Sequence, residues 1–216
     1  MPAPKVKICG ITNAADAVAA VQLGADLLGF NFYPKSPRYI EPVEAEKIIS
    51  KLPAFVDTVG VFVNADADTI RKITGDLMLN WAQLHGDETP GFCVSLDSLP
   101  AQVIKAIRVK NMRDIEYAKN FATDAILLDA FHPSLYGGTG ERFDWKILPE
   151  ITGHILGRTF LAGGINPENI IEAVGLGFYG VDICSGIEDS PGKKNHKKMT
   201  ELFNKIKAVL TGKGEQ

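Results

Sequence analysis

Cysteine is scarce in this chain, and what there is does not pair. Cys9, Cys93 and Cys184 are an odd number with no C-x-x-C spacing, which argues against a disulfide framework and against a zinc site. A reduced, cytoplasmic protein is the simplest expectation. No run approaches the roughly 18 apolar residues of a membrane span. The N-terminus lacks the charged-then-apolar pattern of a secretory signal. The net charge is only -3, so bulk electrostatics do not point to a nucleic-acid partner. One basic run stands out, "GKKNHKK" near the C-terminus, and it reads as the solvated start of a helix. No linker or composition shift divides the 216 residues. They are expected to form one domain over 1–216, with a frayed tail after about 210.

What the chain has is alternation. Short runs rich in branched residues take turns with helix-like segments from end to end. "VKICGI" precedes "NAADAVAAVQLG", "DLLGFNF" precedes "PVEAEKIISKL", and "DTVGVFV" precedes "DADTIRKITG". "LNWAQLHG", "QVIKAIRV", "DAILLDA", "TFLAGGI" and "GVDICSGI" each lead into a further helical segment. Such alternation implies parallel strands. The eight units fit an α/β single-domain (β/α)8 TIM barrel, with a doubly wound open sheet as the rival. Asn13, Asp66 and Asn166 suit helix N-caps. Gly24, Gly75 and Gly177 suit helix C-termini.

In a barrel of this kind, function gathers where strands end. Side chains alternate along a strand, so Lys7 and Cys9 should share the inward face of the first strand, with Val6 and Ile8 outside. A buried free cysteine is usually an inert small hydrophobe. A neighbouring lysine and a strand-end position favour a thiolate instead. Asp129 ends the apolar run "AILL", where a carboxylate costs desolvation unless it caps a loop or has a task. His85 ends the fourth strand with Gln83 on its face, and could be structural. Asp182 and Cys184 share a face of the eighth strand, while Cys93 lies in a helix pattern and reads as packing. Arg38 sits in the proline-bounded loop "YPKSPRYI". It is either a solvated charge or a fork for a carboxylate. Gly163 and Gly164 of "LAGGINPEN", with Ser185 and Gly186 of "CSGIEDSPG", follow the seventh and eighth strands. Barrels often bind phosphate there through backbone N–H groups. "YGGTGER" lacks the Walker pattern and reads as a lid beside Asp129.

Taken in order, "KICGIT", "GFNFYPKSPRYI", "VGVFVN", "QLHGDE", "ILLDA" with "YGGTGERFDW", "LAGGINPENI" and "VDICSGIEDSPGKKNHKKM" resemble phosphoribosylanthranilate isomerase of tryptophan biosynthesis. The resemblance runs from Lys5 to about Met199. It implies a (β/α)8 barrel that uses no cofactor and no metal. The implied reaction is an Amadori rearrangement of N-(5-phosphoribosyl)anthranilate to 1-(2-carboxyphenylamino)-1-deoxyribulose 5-phosphate. It puts the general base on Cys9, the general acid on Asp129 and the anthranilate-carboxylate contact on Arg38. His85 and Asp182 would line the site, and Gly163, Gly164, Ser185 and Gly186 would hold the phosphate. The partner is then a small phosphosugar, with no nucleic acid and no membrane, in a monomer or homodimer. Cys184 departs from the resemblance, which favours serine or another small residue there. Lys7 is expected to tune Cys9. Other phosphate-binding barrels remain as rivals: an indole-glycerol-phosphate synthase, which should carry a lysine–glutamate set and an extended N-terminus, or a ribulose-phosphate epimerase, which should carry several metal-binding histidines. A phosphosugar-binding protein without catalysis would have no reason to keep both Cys9 and Asp129.

Overall fold

The computed structural model describes residues 3–130, 145, 148 and 158–212. Eight parallel strands close into a barrel in sequence order. They are β1 (Lys5–Cys9), β2 (Leu27–Asn31), β3 (Asp57–Phe62), β4 (Trp81–Leu84), β5 (Gln102–Val109), β6 (Ala125–Ala130), β7 (Thr159–Leu161) and β8 (Gly180–Ile183). The helices between them are α1 (Ala14–Leu23), α2 (Pro42–Ile49), α3 (Ala67–Asp76), α4 (Pro90–Val94), α5 (Met112–Ala118) and α6 (Ile170–Gly175). A small antiparallel pair, β9 (Glu188–Ser190) and β10 (Lys193–Lys194), precedes the last helix, α7 (His196–Leu210). The open-sheet rival is excluded by the β1–β8 pairing, which joins the first strand to the last. The loop "YGGTGER" lies outside the described residues. So does the helix expected over "FDWKILPEI", apart from Trp145 and Leu148, which are buried in the core.

Two apolar clusters follow from the two faces of the strands. Val6, Ile8, Leu28, Phe30, Leu128 and Ile183 face outward and pack with the helices. Leu27, Val59, Trp81, Ile104, Leu127 and Phe160 fill the lower barrel. Above them the inward positions turn polar: Lys7, Gln83 and Asp182 are all buried, followed by Cys9, His85 and Asp129 at the strand ends. Period-2 alternation turns these polar side chains inward, and they gather at the C-terminal end of the strands.

The helix caps divide. Asn13 and Asp66 cap α1 and α3 through their side chains, and Gly24 closes α1 with a left-handed backbone. Gly177, also with positive φ, follows α6. Gly75 does not close a helix. α3 runs through it to Asp76, and the positive φ falls on Met78. Asn166 does not begin α6 either; Asn169 holds the N-cap. Asn166 instead caps the turn before it, its side chain accepting from the N–H groups of Glu168 (2.9 Å) and Asn169 (3.1 Å).

Asp16, in the first turn of α1, ties the two ends of the fold together. Its carboxylate accepts from the Lys194 N–H at 2.8 Å and meets His196 Nε2 at 2.8 Å.

The turn after β4 hangs on a second buried pair. Lys105 Nζ donates to Glu88 Oε2 at 2.7 Å and to the Gly86 carbonyl at 2.8 Å. Glu88 also accepts the backbone N–H groups of Asn64 (2.8 Å) and Gly86 (2.9 Å). This holds the chain just past His85. Removing one partner of a buried pair leaves the other charge uncompensated, at a cost of about 3–5 kcal/mol. Lys105→Met should lower unfolding free energy in urea by about that amount. A loss below about 1 kcal/mol would show that the pair does not hold the turn.

Candidate active site

The strand ends bring most of the sequence candidates together. Lys7 Nζ, fully enclosed, donates to Asp182 Oδ1 at 2.9 Å across the β1–β8 seam. Cys9 stands one alternation further up β1, on the same face. Gly29, paired with Cys9 on β2, leaves the room this needs: a Cβ there would lie 2.8 Å from the Cys9 sulfur and 3.2 Å from Lys7 Nζ.

One cation therefore serves two acids. Burial alone would lower the Lys7 ammonium, but Asp182 and Cys9 outweigh it and hold Lys7 above its usual range. Cys9 lies well below the usual thiol range. A hydrogen bond with Cys184 is the first cause; burial opposes it, and the Lys7 charge adds to it. Asp182 goes the other way, pushed up to about 7 by burial and by the neighbouring Cys9 charge despite Lys7. Cys93, the thiol read as packing, is buried against α4 neighbours and pushed up to about 11 by burial.

Asp129 faces this group from β6. Its Oδ1 accepts the Ala130 N–H at 2.8 Å, and its Oδ2 meets His85 Nε2 at 3.1 Å. The other ring nitrogen of His85 meets Gln83 Nε2 at 2.7 Å. A relay of three buried side chains thus ends on the Asp129 carboxyl. The orientation of the Gln83 amide decides which His85 nitrogen carries the proton, and so whether Asp129 receives or gives a hydrogen bond.

Gly163 and Gly164 both have positive φ, a backbone that side chains resist. The Asn169 amide donates to the Gly164 carbonyl at 2.9 Å and steadies this loop. The β8 end packs directly on it: a Cβ on Gly186 would come within 2.0 Å of the Ile165 carbonyl. The two halves of the expected phosphate cradle are therefore adjoining backbone, with Ser185 and Gly186 in a single 3-10 turn.

Arg38 is not a solvated charge. It is 7% exposed, and its Nε and Nη2 donate to the Glu188 carboxylate at 3.0 and 2.7 Å. Burial would lower Arg38; the Glu188 hydrogen bond together with the nearby Cys184, Glu188 and Cys9 charges outweighs it and keeps the guanidinium raised. Lys194 Nζ donates to the same carboxylate at 2.9 Å. Lys194 belongs to the run read as a solvated helix start. α7 does begin there, but Lys194 itself is buried. Glu188 and Lys194 were not legible as site residues. The nearest signal is a glutamate two places after the Ser185–Gly186 pair, followed by a basic run. Among the described residues, no group of three His, Cys, Asp or Glu side chains converges as a metal site.

The profile of the family described as N-(5'phosphoribosyl)anthranilate (PRA) isomerase matches residues 6–205. The chain belongs to the phosphoribosylanthranilate isomerase family. A relative named N-(5'-phosphoribosyl)anthranilate isomerase, from Trichlorobacter lovleyi, is 44% identical over 95% of this chain and 99% of its own length. The crystal structure of phosphoribosyl anthranilate isomerase from Thermotoga maritima is 42% identical, with a TM-score of 0.84 over 95% of this chain and 99% of that one. A family member solved in complex with reduced 1-(o-carboxyphenylamino)-1-deoxyribulose 5-phosphate is 41% identical, with a TM-score of 0.81 and the same coverage. These similarities leave no room for the other phosphate-binding barrels as the parent family.

The Lys7 charge can be tested on Cys9 directly. In Lys7→Met, Asp182 can take up a proton and stay buried as a neutral acid, so the barrel should survive. The pH midpoint of Cys9 alkylation by iodoacetamide should rise, because a favourable positive charge is lost. An unchanged midpoint would remove Lys7 from the tuning of this thiol.

Proposed function

We infer that this chain is a phosphoribosylanthranilate isomerase, converting N-(5-phosphoribosyl)anthranilate to 1-(2-carboxyphenylamino)-1-deoxyribulose 5-phosphate in tryptophan biosynthesis. One observation carries the assignment of roles: a thiol beside a buried ammonium and a histidine-linked carboxyl stand on the same barrel mouth, at β1 and β6, with the glycine cradle of β7 and β8 between them. Around the barrel the order is β6, β7, β8, β1. A phosphate held by backbone N–H groups near Gly163, Gly164, Ser185 and Gly186 therefore has the acid on one flank and the base on the other. Arg38 lies beyond the base, in the loop after β2, where it meets the anthranilate carboxylate. Glu188 orients its guanidinium.

The chemistry needs both flanks. Asp129 gives a proton to the ring oxygen as the C1–O bond breaks and the nitrogen lone pair forms the iminium. The Cys9 thiolate takes the C2 proton, and its electron pair flows to the iminium to give the neutral enolamine. The enolamine tautomerises to the ketone, the enol proton leaving oxygen as C1 gains one. No atom is gained or lost. A thiolate and a protonated carboxyl coexist at neutral pH only in unlike surroundings. The cation beside Cys9 and the imidazole beside Asp129 supply them. The three free thiols suit a reducing compartment, and we place the protein in the cytoplasm on that basis.

Freshly made phosphoribosylanthranilate in a coupled assay tests this. The wild-type kcat/KM should follow a bell against pH, with one limb from each group. Cys9→Ala and Asp129→Asn should each lower kcat by several orders of magnitude with little change in KM, in protein with wild-type circular dichroism. Near wild-type turnover by folded Cys9→Ala would leave the thiol as packing and end the mechanism.

A further inference from the structure

The buried cations of the described residues are not all matched alike. Lys7 has the carboxylate of Asp182 at 2.9 Å, and Lys105 has that of Glu88 at 2.7 Å. Arg38 and Lys194 instead share one carboxylate, that of Glu188, at 2.7 and 2.9 Å. All three of these side chains are buried. Two cations against one anion leave a positive charge over. Burial would raise Glu188, but Arg38 and Lys194 outweigh it and hold the carboxyl below its usual range, so the excess persists at neutral pH.

The arrangement is built into the backbone. Pairing of β9 with β10 sets Lys194 opposite Glu188. Asp16 holds the Lys194 N–H at 2.8 Å, and the Gly192 N–H donates to Glu188 Oε1 at 3.2 Å. Lys194 Nζ also donates to the Cys184 carbonyl at 3.2 Å. The Arg38 stem crosses Gly10, the residue after Cys9: a Cβ there would lie 2.8 Å from Arg38 Cδ. The excess charge therefore stands at the barrel mouth, beside the base. A carboxylate already gripped by a guanidinium does not need an ammonium as well. Burying a cation in excess of its anions is costly, and an anionic ligand can offset that cost. The Cys9 thiolate of the mechanism has Lys7 on its own face of β1, and the phosphate has the glycine backbone of β7 and β8.

We propose that Lys194 is a specificity-determining residue for the substrate carboxylate: without touching it, the buried ammonium cancels the charge of Glu188, so that Arg38 meets the carboxylate as a full cation. This rests on the reading of Arg38 as the anthranilate contact. Without Lys194 the Arg38–Glu188 pair is neutral, and an incoming carboxylate meets the repulsion of Glu188 along with the attraction of Arg38.

The test uses two non-reacting ligands and the full-length chain. One is the product with its C2 ketone reduced to the alcohol; the other is the same molecule without the ring carboxylate. Dissociation constants are measured by titration calorimetry. Lys194→Met should weaken the first ligand about tenfold and the second less than twofold. Lys194→Gln keeps a hydrogen-bond donor for Glu188 but not the charge. It should lose as much, and it keeps the test open if the methionine variant does not fold. Wild-type affinity in Lys194→Gln would overturn the proposal, because the lysine would then act as a donor and not as a charge. An equal loss for both ligands would also overturn it, and would give the charge to the phosphate or to the fold. Arg38→Met separates the underlying reading. If wild type prefers the carboxylated ligand, Arg38→Met abolishes the preference and the Lys194 variants keep it, the proposal alone fails. If wild type binds both ligands equally, the Arg38 reading fails and the proposal with it.

Discussion

A lysine ammonium with no exposed surface sits inside this barrel, and much of the site is arranged around it. Taking such a charge out of water costs several kcal/mol unless anions and hydrogen bonds surround it. Lys7 meets that condition with Asp182 and Cys9. The pairing requires β1 and β8 to keep the register that sets Lys7 beside Asp182. It requires Gly29 to have no side chain. The Lys7 charge adds to the Cys184 contact in holding the enclosed Cys9 thiol below its usual range, whereas burial pushes Cys93 up.

The β6 side of the mouth is built on different terms. Among the described residues, Asp129 meets an imidazole with an amide behind it, where Cys9 has a buried ammonium on its own face of β1. The Arg38–Glu188–Lys194 cluster closes the site on the β2 side and touches Cys184 through Glu188. Arg38, Lys194 and Cys184 are thus one connected set through Glu188.

The barrel was legible because alternation of strand and helix is a local signal, repeated along the chain. Period 2 was enough to turn Lys7 and Cys9 inward. Helix ends were harder. Gly75 and Asn166 are residues of the right type near a boundary, and the backbone used Met78 and Asn169 instead. The site was legible where one strand end carried one residue. It failed at Glu188 and Lys194, whose pairing depends on a hairpin with a strand of two residues, too short for any periodic pattern. Arg38 was ambiguous for the same reason, since its partner stands 150 residues away. Lys7 and Asp182 become neighbours only once the barrel closes.

That closure has a consequence for synthesis. Contacts through Asp16 and the β1–β8 seam join residues separated by up to 180 positions. On the ribosome β1 emerges first and its final neighbour nearly last. Until then the growing sheet has two open edges, and the Lys7 charge lacks the aspartate that compensates it. An unpaired edge invites association with other chains. A buried lysine without its partner resists premature collapse of the half-barrel, because sealing it dry is costly.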